Sequence, residues 1–429
     1  MSRRPPTRRG FLGAASALAV VPAAALGRDR REAHSERVTV GCIGVGGRGT
    51  SNMRTFMHAS QVVAVCDPQA GRREAARSIV EQHYSAQMAK GTYRGCSAYR
   101  DFRELIACDD IDAVSVCTPD HWHAIPTIAA AKSGKDVFCE KQLSLTIAEG
   151  RAMCDAVKRY GRVLQHGTQR RSQGMFAFAC ELVRNERIGK LHTVRVSSEP
   201  SHPCSNDPAT PVPKGFDYDL WLGPAPWKPY SPRRVRTPWW YWIADYTVGF
   251  VAGQGVHFTD VAQWGLDADD TGPVEIEGHG VIPKDGLCDT ASAWHVEMKL
   301  ANGIQLVYTD HSVFPMGVIF EGTKGKVYAL CSGIRAEPAS LMRSRIGPYE
   351  IRLRRPRGHI PDFIHSVKTR EETAAPIEAA HRATTLCHLT HIAILTGRKL
   401  KWDPAQERFL NDEDANRYLS KPARAPWRL

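Results

Sequence analysis

The run "VTVGCIGVGGRG" constrains the fold of this chain more than any other segment. Its first half is apolar and rich in β-branched residues, as a strand buried on both faces requires. It ends in Gly44, Gly46 and Gly49, spaced G-x-G-x-x-G, and "RGTSNMRTFM" then reads as a helix. The glycines have separate jobs: a tight turn, backbone approach to a pyrophosphate, and close helix packing, with the anion meeting the helix N-terminus. Alone the motif is weak, but Asp67 closes the next strand, "QVVAVCD", 18 residues past Gly49, which is the expected context. Gly44, Gly46, Gly47, Arg48, Gly49 and Asp67 are therefore the candidate dinucleotide residues. Asp67 would accept from the ribose hydroxyls and repel a 2′-phosphate, favouring NAD over NADP. Arg72 and Arg73 lie close behind and read better as an exposed helix face than as phosphate partners.

Strand and helix patterns continue to alternate through "GRREAARSIVEQHYSAQM", "DAVSVCTP", "HAIPTIAAAKSG", "DVFCE", "TIAEGRAMCDAVKRYG" and "RVLQHGTQ". Such alternation, with apolar strands, predicts a Rossmann-type parallel sheet over residues 36–165. The second half differs. "LHTVRVSSE", "TASAWHVEMKLA", "GIQLVYTDHS", "MGVIFEGT" and "GKVYALCS" alternate apolar and polar residues between glycine-bearing turns. They predict an α/β domain over residues 166–429 with a large, mostly antiparallel open sheet. A Pro- and Trp-rich region at about 200–245 reads as ordered loops, and a late helix is expected at about 377–396.

The formal net charge is +12, and four of the arginines precede residue 28. Without a basic stripe or nucleic-acid motif, this is surface charge and no nucleic-acid partner is expected. Arg8 and Arg9, followed by an uncharged Ala-rich run, read as a twin-arginine signal over residues 1–27. The expectation is export to the periplasm through that machinery, without stable membrane insertion; an uncleaved anchor is the alternative. The 12 cysteines show no C-x-x-C. Cys42, Cys66, Cys117 and Cys139 fall in strand-like runs as small buried hydrophobes, so few or no disulfides are expected. His121 and His123 are too few for a metal site.

Two successive strands end in polar clusters, "TPDHWH" and "EKQ". The carboxyl ends of strands form the ligand crevice of an open parallel sheet. Thr118, Pro119, His121, His123, Glu140 and Lys141 thus stand where a nicotinamide and a substrate would meet; a structural ion pair at a strand end is the alternative for Glu140 and Lys141. At these residues the chain resembles the Gfo/Idh/MocA oxidoreductases. The resemblance runs through "TPDHWHA", "GKDVFCEKQLSLT", "VLQHGTQRRS", "FDYDLWLGPAPWKPY" and "HFTDVAQWGL" and is closest to the exported, twin-arginine members. It implies that Lys141 contacts the reacting hydroxyl or the nicotinamide ribose, with an amine pKa lowered by the positive ring. The family's E-K-P stands here as Glu140-Lys141-Gln142, and its D-x-G-x-H-x-x-D as "GQGVHFTD". His257, the candidate base, and Asp260 are retained. Gly253 replaces the first carboxylate, which implies either that ordinary dehydrogenase turnover is lost or that Asp245 or another group substitutes for it.

The resemblance implies sugar, glycoside or cyclitol substrates. Arg170 and Arg171 are candidate donors to them, Asp245, Tyr246 and Asp260 further substrate residues, and Trp239, Trp240, Tyr241 and Trp242 either stacking surfaces or structural aromatics. The leading expectation is hydride transfer between a CH–OH carbon and tightly bound NAD. The alternatives are an NAD-dependent glycoside hydrolase working by transient oxidation, and a non-catalytic sugar-binding protein that keeps NAD. A homodimer or homotetramer is expected.

Overall fold

The computed structural model describes residues 37–429; the expected export signal lies outside them. Six strands, β1 (Thr39–Ile43), β2 (Gln61–Cys66), β3 (Ser97–Tyr99), β4 (Ala113–Val116), β5 (Asp136–Cys139) and β6 (Leu164–His166), pair in the order β3-β2-β1-β4-β5-β6. Every pairing is parallel. Val40, Val62, Val114 and Val137 are fully buried, as helices on both faces of the sheet demand. The order reverses between β1 and β4, which opens a crevice at the carboxyl ends of these strands.

The second sheet has nine strands. They are β7 (Leu191–Ser198), β8 (Pro273–Val281), β9 (Ala293–Leu300), β10 (Gln305–Asp310), β11 (Gly317–Gly322), β12 (Gly325–Leu330), β13 (Gly333–Glu337), β14 (Leu400–Asp403) and β15 (Arg408–Phe409), ordered β13-β12-β11-β7-β10-β9-β8-β14-β15. Only β7 and β10 run parallel; the other pairings are antiparallel. β9 shows why one face is covered: Trp294, Val296, Met298 and Leu300 are buried while Glu297 and Lys299 between them are exposed. The buried face shares its core with Phe176, Phe258 and Leu386, from the helices Gly174–Arg184, Val256–Leu266 and Ile377–Thr396.

The late helix ends at Gly397, which adopts φ 62°, the left-handed cap that glycine accepts most readily. β8 escaped the sequence reading because its "PVEIEGHGV" combines proline with two glycines. Residues 200–245 hold one short helix, Tyr218–Leu222, and two single-turn helices, Arg233–Val235 and Trp239–Trp242. One disulfide, Cys204–Cys288, ties this region to the β8–β9 connection, and the other ten cysteines are free.

The chain returns to the first sheet near its end. Ile360, Phe363 and Ile364 of the helix His359–Thr369 join Phe56 and Phe138 in one apolar cluster. The Phe363 ring lies 5.9 Å from that of Phe138. The first sheet is thus completed by residues distant in sequence. Among the described residues no helix is long and apolar enough to cross a membrane.

Candidate active site

The glycine turn leads from β1 into the helix α1 (Gly47–Ala59). Gly44 has φ 81°, a left-handed value that a side chain would strain. A Cβ on Gly49 would fall 1.9 Å from the Gly44 carbonyl oxygen, whereas one on Gly47 would meet nothing within 4 Å. α1 has no side-chain N-cap and no acid in its first turn, so its leading N–H groups are free to meet an anion. A cleft of about 270 Å³ opens there. A pyrophosphate fits this cradle: donors without partners beside an open glycine.

Asp67 is buried at the end of β2 and accepts from the Val45 and Gln69 N–H groups at 3.1 and 2.9 Å. Burial raises its pKa against the pull of those bonds and of Arg72. Arg72 is exposed on the helix Ala70–His83, as the sequence reading expects, and it also lines the cleft. Arg73 donates to the Asp67 carbonyl at 2.8 Å.

Glu140 and Lys141, adjacent in sequence, form no side-chain ion pair; the Lys141 backbone N–H donates to Glu140 Oε2 at 3.1 Å. Glu140 accepts from Asn52 Nδ2 at 2.9 Å and lies 3.2 Å from Arg48 Nε, which locks the end of β5 to α1. Lys141 points away, donating its ammonium to the Gly253 carbonyl with the Tyr241 ring 5.0 Å distant. Burial lowers the Lys141 pKa, and Asp120 is the first charge that opposes the shift. Gly253 opens the segment bearing His257, whose imidazole is held neutral by burial and by the Lys141 charge. Its buried Nδ1 has no hydrogen-bond partner. The fold therefore brings the Lys141 charge close to the His257 ring from residues 116 apart, although His257 is not among the residues lining the cleft.

The remaining predicted residues divide. Gly44, Gly46, Gly47, Arg48, Gly49, Asp67, Thr118, Pro119, Glu140 and Lys141 line the cleft. His121 and His123 pack behind it: His121 Nε2 contacts the Trp221 carbonyl at 3.2 Å, and His123 contacts the Gln142 and Thr118 carbonyls at 2.5 and 2.9 Å. Tyr246 is fully buried against His121 and Trp221, and Asp245 influences Lys421 in the C-terminal tail. The aromatic run splits. Trp240 and Tyr241 line the cleft and stack at 3.7 Å, while Trp239 and Trp242 pack near the disulfide. Arg170 lies over Phe176 and Phe258, at 4.8 and 5.2 Å. Asp260 Oδ1 accepts from Arg171 Nε at 2.7 Å, with Asp269 on the same guanidinium, while the second Asp260 oxygen is buried without a hydrogen-bond partner.

Four residues of the site escaped the sequence reading. Asp120 is buried with neither carboxylate oxygen hydrogen-bonded, and burial lifts its pKa to about 7 against the Lys141 charge and the Thr247 hydroxyl. His166, at the end of β6, is buried with Nε2 unpartnered. Trp122 and Trp221 form part of the cleft wall. Asp120 and His166 sat inside the quoted motifs "TPDHWH" and "VLQHGTQ", where nothing in the sequence signals that their polar atoms stay unpartnered.

The reversal of strand order, the glycine cradle and a half-buried lysine at the next strand end define a dinucleotide-binding protein of the oxidoreductase kind. The model of the oxidoreductase family's NAD-binding Rossmann fold matches residues 38–168, and that of its C-terminal alpha/beta domain matches residues 204–429. The chain belongs to the Gfo/Idh/MocA oxidoreductase family.

Among similar proteins, a myo-inositol 2-dehydrogenase of Thermotoga maritima is 40% identical over 114 residues, 27% of this chain and 32% of that one. A glycosyl hydrolase family 109 protein of Shewanella sp. (strain ANA-3) is 39% identical over 127 residues, 29% of this chain and 27% of that one. The chain thus spans about a third or less of the length of these two relatives. A probable dehydrogenase of Thermotoga maritima has the same fold, with TM-score 0.57 and 22% identity over 85% of this chain and 99% of that one. So does the WlbA dehydrogenase of Bordetella pertussis, solved with NADH and UDP-GlcNAcA: TM-score 0.60 and 15% identity over 86% and 99%.

Proposed function

We propose that this protein is an NAD-dependent oxidoreductase acting on a CH–OH carbon of a sugar, glycoside or cyclitol. The observation that carries this reading is the Lys141 ammonium: half-buried, at a strand end, between the glycine-turn cleft and the segment of His257. A nicotinamide bound in the cleft supplies the hydride acceptor. The neutral His257 imidazole accepts the proton of the alcohol, and the Lys141 ammonium stabilises the oxygen as charge develops. Trp240 and Tyr241 offer flat apolar faces to a sugar ring. Asp67 favours NAD; Arg72, on the cleft wall, moderates that preference.

Export through the twin-arginine route and assembly as a homodimer or homotetramer belong to the same reading. Outside the cytoplasm there is no nicotinamide pool to exchange with, so the cofactor stays bound and is restored within each cycle. The glycosyl hydrolase family 109 relatives favour a second reading, in which transient oxidation of a glycoside permits loss of its aglycone before re-reduction.

Purified protein mixed with sugars and nitrophenyl glycosides separates the two. Lasting growth of reduced-nicotinamide absorbance marks the dehydrogenase, and aglycone release without net reduction marks the hydrolase. Lys141→Met and His257→Ala are each expected to lower turnover about 10²–10⁴-fold while nicotinamide binding, followed by fluorescence, persists. Full activity in both variants would refute the assignment.

A further inference from the structure

Asp120 is a buried charge that the chemistry proposed above leaves unused. Its side chain is 1% exposed, and neither oxygen has a hydrogen-bond partner. An unpaired buried carboxylate is costly, so its retention beside the site calls for a reason. Asp120 sits in the single turn Asp120–Trp122 that follows β4, and Lys141 follows β5; the two strands are hydrogen-bonded neighbours. The lysine ammonium is otherwise held only by neutral groups, the Gly253 carbonyl and the Tyr241 ring. Gly253 brings no side chain of its own, and a Cβ there would already lie 3.3 Å from Phe250 and 3.4 Å from Tyr241.

We propose that Asp120 is a positioning residue for Lys141: its carboxylate supplies the negative charge that keeps the half-buried ammonium protonated and aimed at the crevice. The inference rests on the function proposed above for Lys141. Glu140 is a weaker source of that charge, because its carboxylate is engaged by Arg48 and Asn52. Asp120 faces Lys141 and Glu140, the Thr247 hydroxyl, the Tyr241 phenol and the Cys139 thiol. Lys141 in turn faces Asp120, Glu140 and Arg48, and the rings of His123, His166 and His257. The histidines are held neutral by burial, which leaves the carboxylates as the groups able to keep the amine charged.

The test reads the amine directly and needs neither nicotinamide nor substrate. The full chain is acetylated with trace acetic anhydride across a pH series, and Lys141 modification is followed by peptide mass spectrometry. Asp120→Asn is expected to move the midpoint of Lys141 labelling down by about one pH unit or more, a tenfold change. Asp120→Glu should restore most of the shift, and Glu140→Gln should cause a smaller one. A midpoint that stays put in Asp120→Asn, or that moves as far in Glu140→Gln, overturns the proposal. If circular dichroism shows Asp120→Asn unfolded, Asp120→Ser replaces it under the same criteria. Nicotinamide titration by fluorescence on the same samples separates the two claims. Binding with an unmoved midpoint defeats the role of Asp120 alone, and no binding in the unmodified protein defeats the functional reading.

Discussion

The Arg48 guanidinium meets the Glu140 carboxylate at 3.2 Å, joining the first turn of α1 to the residue before Lys141. One ion pair thus connects the cradle proposed for the pyrophosphate with the end of the strand that carries the lysine. The Arg48 side chain is 45% accessible but that of Glu140 only 7%, and removing one partner of a buried carboxylate costs more than breaking a surface pair. Arg48→Ala should therefore lower the melting temperature measurably, with Asn52 still donating to the Glu140 carboxylate and limiting the loss. Nicotinamide affinity, measured by fluorescence titration, should fall several-fold, because Arg48 also lines the cleft.

The glycines of the turn make a sharper pair. Gly49→Ala places a methyl 1.9 Å from a backbone oxygen, a contact that relaxation of a side chain cannot relieve. It should lower the melting temperature by many degrees or prevent folding. Gly47→Ala meets nothing within 4 Å and should melt like the parent, yet lose nicotinamide affinity if a pyrophosphate approaches the backbone there. Thermal melts and titrations of both variants decide the point.

Acid should act on the buried titratable groups in two opposed ways. Burial pushes His391 down to about 3 from its ordinary 6.5, so the unfolded chain takes up that proton first and stability is lost as pH falls below 6.5. Burial pushes Asp120 up to about 7 from 3.8, so the folded chain takes up its proton first and stability is gained as pH falls from 7 towards 4. His391→Gln should accordingly flatten the acid decline in melting temperature, and Asp120→Asn should steepen it. At pH 8, Asp120→Asn should be the more stable protein, by something on the order of 1–4 kcal/mol. Melting curves between pH 4 and pH 8 check both signs.

The disulfide is accessible to simple chemistry. Denatured, unreduced protein should react with ten equivalents of a thiol reagent, and reduced protein with twelve. Cys204→Ser should destabilise by about 2–4 kcal/mol, as loss of a crosslink closing a long loop does, with the Pro- and Trp-rich region loosened first. Limited proteolysis around residues 200–245 reads that loosening.

Much of the fold was legible because local pattern and global role coincide. Apolar runs such as "DAVSVCTP" can only be central strands, and the alternation in "AWHVEMKL" declares one wet face. β3, β14 and β15 were not legible: at three, four and two residues they exist through their neighbours and carry no period of their own. The single disulfide was missed in pairing because Cys204 and Cys288 stand 84 residues apart, and nothing local brings them together.

The glycine spacing, Asp67 and the order of strands and helices determined by themselves that this chain builds a dinucleotide cradle, since turn geometry and period depend only on nearby residues. Only the tertiary structure decided which charges meet. It gave Glu140 to Arg48 and Asn52, turned Lys141 towards Gly253, and removed Asp260 into a pair with Arg171. It also left Asp120 buried beside the lysine. Burial and electrostatic partnership are properties of groups brought close across the whole chain, and they exist only once the strands have been ordered and packed.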